Sequence, residues 1–309
     1  MEVVIYKVIS LFVPIGAGFL LKRKHVLKAD FANQLSRMTY LIFLPLYIIN
    51  SMNYEFSYQA LLDGINLIIA SVAVIALGFG VGYIFSKVTY SDHDSRSVIE
   101  FAVACSNFAF MGIPIIGVLF GERGVFLASM HNIGYFIFSN SISIMLLTRD
   151  QFAQKKLLKN FVNVPTVAVI IGFLIFLCNI RLPAVITDTV SSFAVCAPAL
   201  SMLLVGIILA DCDFISIWKD WKLYIVSLLR LIIIPLIVFA VMYFLPIERE
   251  ITDIAVMIAA MPVAVQVVLF GEKFGKNCLS KRCHVHHLFS CHNSPFGMVF
   301  GTDYLNLRT

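Results

Sequence analysis

The chain has 309 residues, of which 60% are hydrophobic and 13% are charged, and its mean hydropathy is +0.91. Soluble domains carry about 25% charged residues, so this composition excludes a soluble enzyme and predicts an all-α polytopic membrane protein. The formal net charge of +5 does not indicate nucleic-acid binding, because the basic residues cluster in short loops, as they do on the inner face of a membrane.

Nine apolar segments follow one another, each close to the roughly 20 residues that cross a bilayer. They cover residues 3–21, 35–52, 61–85, 98–120, 124–147, 164–180, 192–210, 223–245 and 254–270. Twelve basic residues lie in the connections after segments one, three, five and seven, and only three lie in the other connections. By the positive-inside rule this pattern predicts a multi-pass protein of the cell membrane (inner or plasma membrane) with its N-terminus outside.

Segment four carries small polar residues and a proline near its middle. Ser106 and Asn107 are followed by Gly112 and Pro114 in an otherwise apolar run. Proline removes a backbone donor and clashes with the preceding turn, so the helix is expected to break just before Pro114. In lipid an unwound turn is tolerated only where it is buried in protein or lines a cavity, which makes this break a candidate binding site.

A second copy of this pattern lies about 150 residues downstream. The run Val-Leu-Phe-Gly-Glu-Arg at 118–123 is matched by Val-Leu-Phe-Gly-Glu-Lys at 268–273, and Pro262 and Gln266 interrupt segment nine. Residues 18–21 and Pro45 are echoed at similar offsets by residues 172–175 and Pro198. Five segments in the first copy make the second start on the opposite face, so the sequence predicts inverted repeats.

The predicted organisation has four parts: a first five-helix repeat at 1–148, a cytoplasmic connector at 149–160, a second repeat at 161–277 with four recognisable helices, and a tail at 278–309. Inverted symmetry requires a tenth helix near 274–297, but the tail is rich in cysteine, histidine and lysine and cannot span a bilayer. A zinc site is one interpretation, although the spacing fits no standard finger. A reading-frame error that replaced the last helix is the other.

Residues 106–114, Ser-Asn-Phe-Ala-Phe-Met-Gly-Ile-Pro, resemble the broken fourth helix of the auxin efflux carrier family, and residues 260–266 resemble its ninth helix. Residues around 163–165, 196–210 and 230–235 are similar to its sixth, seventh and eighth helices. The resemblance covers 1–277 and implies two inverted five-helix repeats with crossed broken helices, as in bile acid–sodium symporters and sodium–proton antiporters. It also implies a scaffold of helices one, two, six and seven, and a transport unit that contains the crossing.

The resemblance further implies transport of small carboxylates. Plant members of the family export auxin and carry Asn-Pro-Asn on the ninth helix, whereas Pro262 lies between Met261 and Val263. This difference favours the bacterial type, which is similar to malate and malonate permeases.

Seven residues are predicted to form the substrate site: Ser106, Asn107, Gly112, Pro114, Pro262, Gln266 and Arg230. The Asn107 amide can bind a carboxylate beside backbone N–H groups freed at the break, or it can satisfy backbone groups at a kink. Ser106 either adds to this site or bonds the carbonyl four residues back. Gly112 is expected to permit close crossing, and Pro114 and Pro262 to make the breaks.

Most of the remaining candidates have more than one interpretation. Gln266 either supplies a second polar contact or packs against a polar neighbour. Arg230 either attracts an anion, or pairs with an acidic residue, or snorkels to the cytoplasmic face. Glu100 and Asp63 are expected at the membrane interface, with proton coupling as the alternative. His131 is expected to be a satisfied residue of the helix bundle.

The sequence therefore predicts a secondary active transporter of small organic anions that works by alternating access. The alternatives are a sodium- or proton-coupled symporter or antiporter of related fold, and a non-functional truncated family member. No Walker loop or catalytic pair is found, so no enzymatic activity, cofactor, metal site or catalytic residue is predicted. The expected partners are the anion, the lipid bilayer and, as one assembly, a second copy in a homodimer; nucleic acid is not among them.

Overall fold

The computed structural model describes residues 2–28, 30–147, 164–210, 220–264 and 267, and these are almost entirely helical. In chain order the helices are α1 Glu2–Arg23, α2 Phe31–Met38, α3 Leu44–Met52, α4 Tyr58–Thr89, α5 His93–Ala104, α6 Ile113–Leu147, α7 Val164–Leu177, α8 Ala184–Ala210, α9 Trp221–Leu228, α10 Ile234–Tyr243 and α11 Arg249–Ala259. The prediction of an all-α fold is confirmed over these residues. Gln266, the connector 149–160 and the tail 278–309 lie outside them.

Four stretches of the described chain are long and apolar enough to cross a membrane. They are Tyr58–Thr89, Ile113–Tyr135, Ala184–Ala210 and Trp221–Tyr243. The helix Ile113–Leu147 turns at Gly121, whose φ of 65° and ψ of −153° lie in a region that only glycine adopts readily. The glycine of the repeated Val-Leu-Phe-Gly motif therefore makes the turn between segments four and five.

The helices pack in two groups. In the first group α1 lies against α8, and α3 lies against both α7 and α8, so that segments one, two, six and seven are together. In the second group α4 packs on α5 and α6, and α10 packs on α11. Most of the buried apolar side chains form one cluster that continues from one group into the other.

Three short π-helical turns each precede a proline. These turns are Thr39–Phe43, Phe108–Gly112 and Leu229–Ile233, and Pro45, Pro114 and Pro235 each follow two residues after the turn. In each case the residue before the proline donates its N–H five residues back, as Ile113 does to the carbonyl of Phe108. The wider turn carries the chain into a proline, which has no N–H to donate and would clash in an α-helix.

This arrangement corrects the predicted position of the break in segment four. The helix does not unwind just before Pro114, because the π turn Phe108–Gly112 leads directly into α6 there. The non-helical residues are 105–107, between α5 and that π turn. Pro262, by contrast, lies inside the non-helical stretch that follows α11.

Two glycines let α1 and α8 approach closely. A Cβ atom on Gly18 would overlap the carbonyl oxygen of Leu203, and one on Gly206 would overlap the carbonyl oxygen of Ile15. The obstacle in both cases is backbone, which cannot rotate away. Gly16, two residues before Gly18 on the same helix, has no atom within 4 Å of the corresponding position.

We expect Gly18→Ala to lower the midpoint of thermal unfolding in detergent, whereas Gly16→Ala leaves it unchanged or raises it slightly. Overpacking against backbone costs about 1–3 kcal/mol, while alanine in an open helical position is favoured over glycine by about 1 kcal/mol. Fluorescence-detected size-exclusion chromatography after heating measures both variants. Equal midpoints for the two variants would contradict the close packing of α1 on α8.

Candidate functional site

The two interrupted segments meet at their interruptions. Ser106 and Val263 form an antiparallel bridge between the stretch after α5 and the stretch after α11. The Asn107 N–H donates to the Pro262 carbonyl at 2.7 Å, and the Ala264 N–H donates to the Cys105 carbonyl at 3.0 Å. Each break thus supplies hydrogen-bond partners to the other, which satisfies backbone groups that lipid cannot satisfy. We call residues 105–107 and 260–264 the crossing.

Asn107 occupies the N-cap position of the π turn that leads into α6. Its side chain makes no capping hydrogen bond, although asparagine is among the favoured N-cap residues. The residue is only 2% exposed, and its amide nitrogen has no partner among the described residues. Within the described residues, the Asn107 amide nitrogen therefore donates to no backbone carbonyl at the kink.

The other predicted residues of segment four lie around the same point. Ser106 is within the break itself, and its carbonyl oxygen accepts a hydrogen bond from the Tyr135 hydroxyl at 3.1 Å. Gly112 faces the second broken segment, because a Cβ there would lie 3.1 Å from the Met261 side chain. Pro114 is buried as the second residue of α6.

Arg230 lies in the π turn Leu229–Ile233 and is completely buried. Its Nη1 donates to the carbonyls of Val103 at 3.1 Å and Ala104 at 3.4 Å, and its Nε donates to the carbonyl of Met261 at 3.3 Å. The alternative in which Arg230 snorkels to the membrane surface is therefore wrong. The guanidinium instead holds the carbonyl ends of α5 and of the stretch after α11.

The charge of Arg230 matches the polarity of these helix ends. A helix C-terminus presents unpaired carbonyls and carries about half a negative charge, and a cation there is favourable. No carboxylate lies within ion-pairing distance of Arg230 among the described residues, and its Nη2 has no partner there. The hydrogen bonds that Arg230 makes within the described residues go to neutral backbone carbonyls, which do not cancel its charge.

Two further buried polar residues lie close to the crossing. The ring of His131 is 5.4 Å from the ring of Phe108, and neither of its nitrogens has a partner among the described residues. Both side-chain amide atoms of Asn132 are likewise without partners. The sequence led us to expect that His131 is hydrogen-bonded inside the helix bundle, but neither ring nitrogen has such a partner among the described residues. The only sequence signal for Asn132 was its position next to His131 in an apolar segment.

Arg123 forms a cluster of ion pairs within the second helix group, where α6 lies close to the starts of α4 and α11. Its guanidinium lies 2.8 Å from Asp63, 2.7 Å from Glu248 and 2.9 Å from Glu250. The hydrogen bond from Arg123 lowers the pKa of the Glu248 carboxyl, and these carboxylates raise the pKa of Arg123. Asp63 is buried and also accepts from Gln59 at 2.8 Å, so its charge is matched by ordinary structural contacts.

Comparison with known proteins agrees with the helical architecture. The model of the membrane transport protein family matches the chain twice, over residues 3–155 and over residues 140–292. The chain belongs to this family. The family is of the auxin efflux carrier type, so the resemblance found in the sequence is confirmed to that extent.

A curated relative supports the same assignment. The transporter is 26% identical over 263 residues to a protein of Methanothermobacter thermautotrophicus that is described as an uncharacterized transporter, with 83% of this chain and 84% of the relative covered. The prediction of a membrane transporter is therefore confirmed.

We expect Arg230→Met to destabilise the transporter strongly, because three buried carbonyls lose a donor and each orphaned group costs about 1–3 kcal/mol. Arg230→Lys keeps the charge but has no planar fork, so it should be intermediate. Arg181→Met, at an exposed position, is the matched control. Thermal unfolding of the purified variants measures the order, and an Arg230→Met protein as stable as Arg181→Met would refute the assigned contacts.

Proposed function

We propose that this protein is a secondary active transporter of small organic anions whose substrate binds at the crossing. The observation that carries the proposal is the fully buried guanidinium of Arg230, which has no carboxylate partner among the described residues. An unpaired charge inside a membrane protein is costly and usually faces a ligand or a cavity. An anionic substrate supplies the missing counter-ion.

The ends of the broken helices support an anion at the same place. Arg230 offsets the negative ends of α5 and α11, whereas the start of the π turn at Phe108 carries the partial positive charge of a helix N-terminus. The Asn107 amide adds a donor beside this N-terminus. The balance of charge at the crossing is therefore positive, and a carboxylate is the common biological group that matches it.

The substrate class follows from the residues that flank Pro262. Met261 and Val263 supply no side-chain amides, so the second broken segment offers fewer donors than the plant pattern. This difference favours a compact carboxylate of the malate or malonate type over an indole acid such as auxin. We place Gln266 in the same site as a second polar contact, by its position one turn after Pro262.

Inverted repeats are the architecture we propose, in a cell membrane with the N-terminus outside. One observation supports the repeats: α1 packs on α8 much as α3 packs on α7. The first helix group would be the scaffold, and the second group, with the crossing, would move.

Contacts between the two groups support alternating access. The Ser51 and Ser129 hydroxyls are 2.7 Å apart, and Tyr54 stacks on Phe126 with ring centroids 4.8 Å apart. Phe126 in turn lies 4.7 Å from Phe176 of α7. With the N-terminus outside, these residues close the outer end between the groups. Transport to or from the outside then requires these contacts to separate, and ligand binding can shift that balance only by binding one state more tightly.

Coupling to a proton or sodium gradient is a second candidate, favoured by two buried carboxylates. Glu100 in α5 accepts a hydrogen bond from Ser86 at 2.7 Å, and one oxygen of Asp253 in α11 has no partner among the described residues. Each broken segment thus carries an acid within about two helical turns of the crossing. Such an acid can bind a proton or a sodium ion, and uptake that depends on an imposed gradient would identify it.

The tail at 278–309 is proposed to result from a shifted reading frame, with the non-functional truncated protein as the alternative. The family model extends to residue 292, within this tail. DNA resequencing tests the frame. The uptake experiment below includes both the chain as given and a chain whose frame is restored.

We expect Asn107→Ala to reduce uptake of radiolabelled malate or malonate into proteoliposomes at least tenfold, because the carboxylate loses an amide donor at the break. Asn53→Ala, at an exposed position before α4, should leave uptake unchanged. An indole acid serves as the competing substrate. Uptake that survives Asn107→Ala would show that the substrate site is not in segment four. Uptake by the frame-restored chain but not by the chain as given would show that the tail at 278–309 prevents transport.

We expect a disulfide between Ser51→Cys and Ser129→Cys to stop transport, because the two hydroxyls already lie in contact across the helix groups. Mild oxidation of the double variant should abolish uptake, and dithiothreitol should restore it. Each single-cysteine variant receives the same oxidant as a control. Full activity in the oxidised, cross-linked protein would show that the two groups do not separate here.

A further inference from the structure

The second half of α6 carries two adjacent polar residues that are deeply buried and have no hydrogen-bond partners among the described residues. His131 is 1% exposed and Asn132 is 0% exposed. Both ring nitrogens of His131, and both the oxygen and the nitrogen of the Asn132 amide, lack partners. Buried polar atoms are nearly always hydrogen-bonded, so four unmet atoms on two neighbouring residues indicate that something polar binds there.

His131 faces the crossing. Its ring and the ring of Tyr135, one turn later, both lie against Phe108, at centroid distances of 5.4 Å and 4.6 Å. Tyr135 in turn donates its hydroxyl to the carbonyl of Ser106. One face of α6 is thus attached to the break in segment four, and His131 is on that face.

Asn132 points between the crossing and the first helix group. Successive residues of a helix are rotated by about 100°, so Asn132 lies about 60° from Tyr135 on one side and about 60° from Ser129 on the other. Tyr135 contacts Ser106, and Ser129 contacts Ser51 of α3. The amide therefore faces the boundary along which a substrate would reach the crossing.

The face of α6 opposite Asn132 is closed by packing on α4. A Cβ on Gly134 would overlap the Ser71 hydroxyl, and a Cβ on Gly64 would overlap the Met130 side chain. α6 is therefore held tightly on that face. This attachment fixes the direction in which Asn132 points, and the ring contact with Phe108 fixes that of His131.

We infer that His131 and Asn132 form a second polar subsite, which binds a hydrogen-bonding group at the far end of the substrate while Asn107 and Arg230 hold its carboxylate. This inference rests on the proposed function. A neutral imidazole offers one donor and one acceptor, and an amide offers two donors and an acceptor. The pair therefore suits a hydroxyl, an amide or a second carboxyl group, and it rejects an alkyl end that would leave its atoms unpaired.

Two ligands of equal charge and similar shape test this inference. Malonamate and isovalerate each carry one carboxylate and a branched end of three heavy atoms, but that end is an amide in the first and an isopropyl group in the second. Equilibrium binding of both to the purified full chain gives the ratio of their dissociation constants. We expect the wild-type protein to favour malonamate at least tenfold.

Substitutions then assign the preference to the pair. In His131→Leu and Asn132→Leu the ratio should fall below about threefold, with isovalerate affinity retained or increased, because an apolar end no longer faces unpaired polar atoms. His131→Gln, which keeps a donor and an acceptor, should restore much of the preference. Asn107→Ala should weaken both ligands equally, because it removes a contact to the carboxylate that they share.

The outcomes separate this inference from the proposed function. A wild-type protein that binds both ligands equally, or leucine variants that keep the wild-type ratio, would overturn the subsite and leave the anion site in place. Leucine variants that weaken both ligands by the same factor would show a structural role and would also overturn it. A wild-type protein that binds malonamate, isovalerate and malonate not at all would overturn the proposed function, and the subsite with it.

Discussion

The structure depends on how the backbone is satisfied where two helices are broken inside the membrane. At the crossing, Asn107 and Cys105 exchange hydrogen bonds with Pro262 and Ala264, and Arg230 covers the carbonyls of Val103, Ala104 and Met261. Without water these groups have no other partner. The guanidinium therefore links segments four, eight and nine through hydrogen bonds.

The π turns explain how Arg230 reaches this position. A π turn contains one residue more than an α-helical turn, so it changes the direction of the side chains within it. Arg230 lies inside the π turn that precedes Pro235. Asn107 lies immediately before the π turn that precedes Pro114. Pro14 and Pro198 lie inside α-helices, whereas Pro114 and Pro235 each follow a π turn, and these two turns place polar residues at the crossing.

Much of this arrangement could be predicted from the sequence, and the rest depends on tertiary contacts. Apolar segment lengths gave the helices, and Ser106, Asn107 and Pro262 marked the breaks, because polar residues and prolines are expensive in lipid. The effect of Pro114 was misplaced, since a π turn and a break have the same local signal. The burial of Arg230 was undecided, because seven residues of depth permit either snorkelling or a partner, and the partners are carbonyls from segments four and nine. Asn132 gave no signal beyond its polarity and its place beside His131, because the absence of hydrogen-bond partners for its amide among the described residues is visible only in the structure.

The distribution of charge also fits a mobile second group. The three ion pairs of Arg123 join α4 to the start of α11, both within that group. Contacts between the groups include a hydroxyl pair, Ser51 with Ser129, and the aromatic stack of Tyr54 on Phe126. A neutral hydrogen bond and an aromatic pair each contribute only about 0.5–1.5 kcal/mol. The proposed movement would have to break these contacts and the apolar packing that continues across the boundary, whereas the hydrogen bonds of the buried guanidinium lie within the second group.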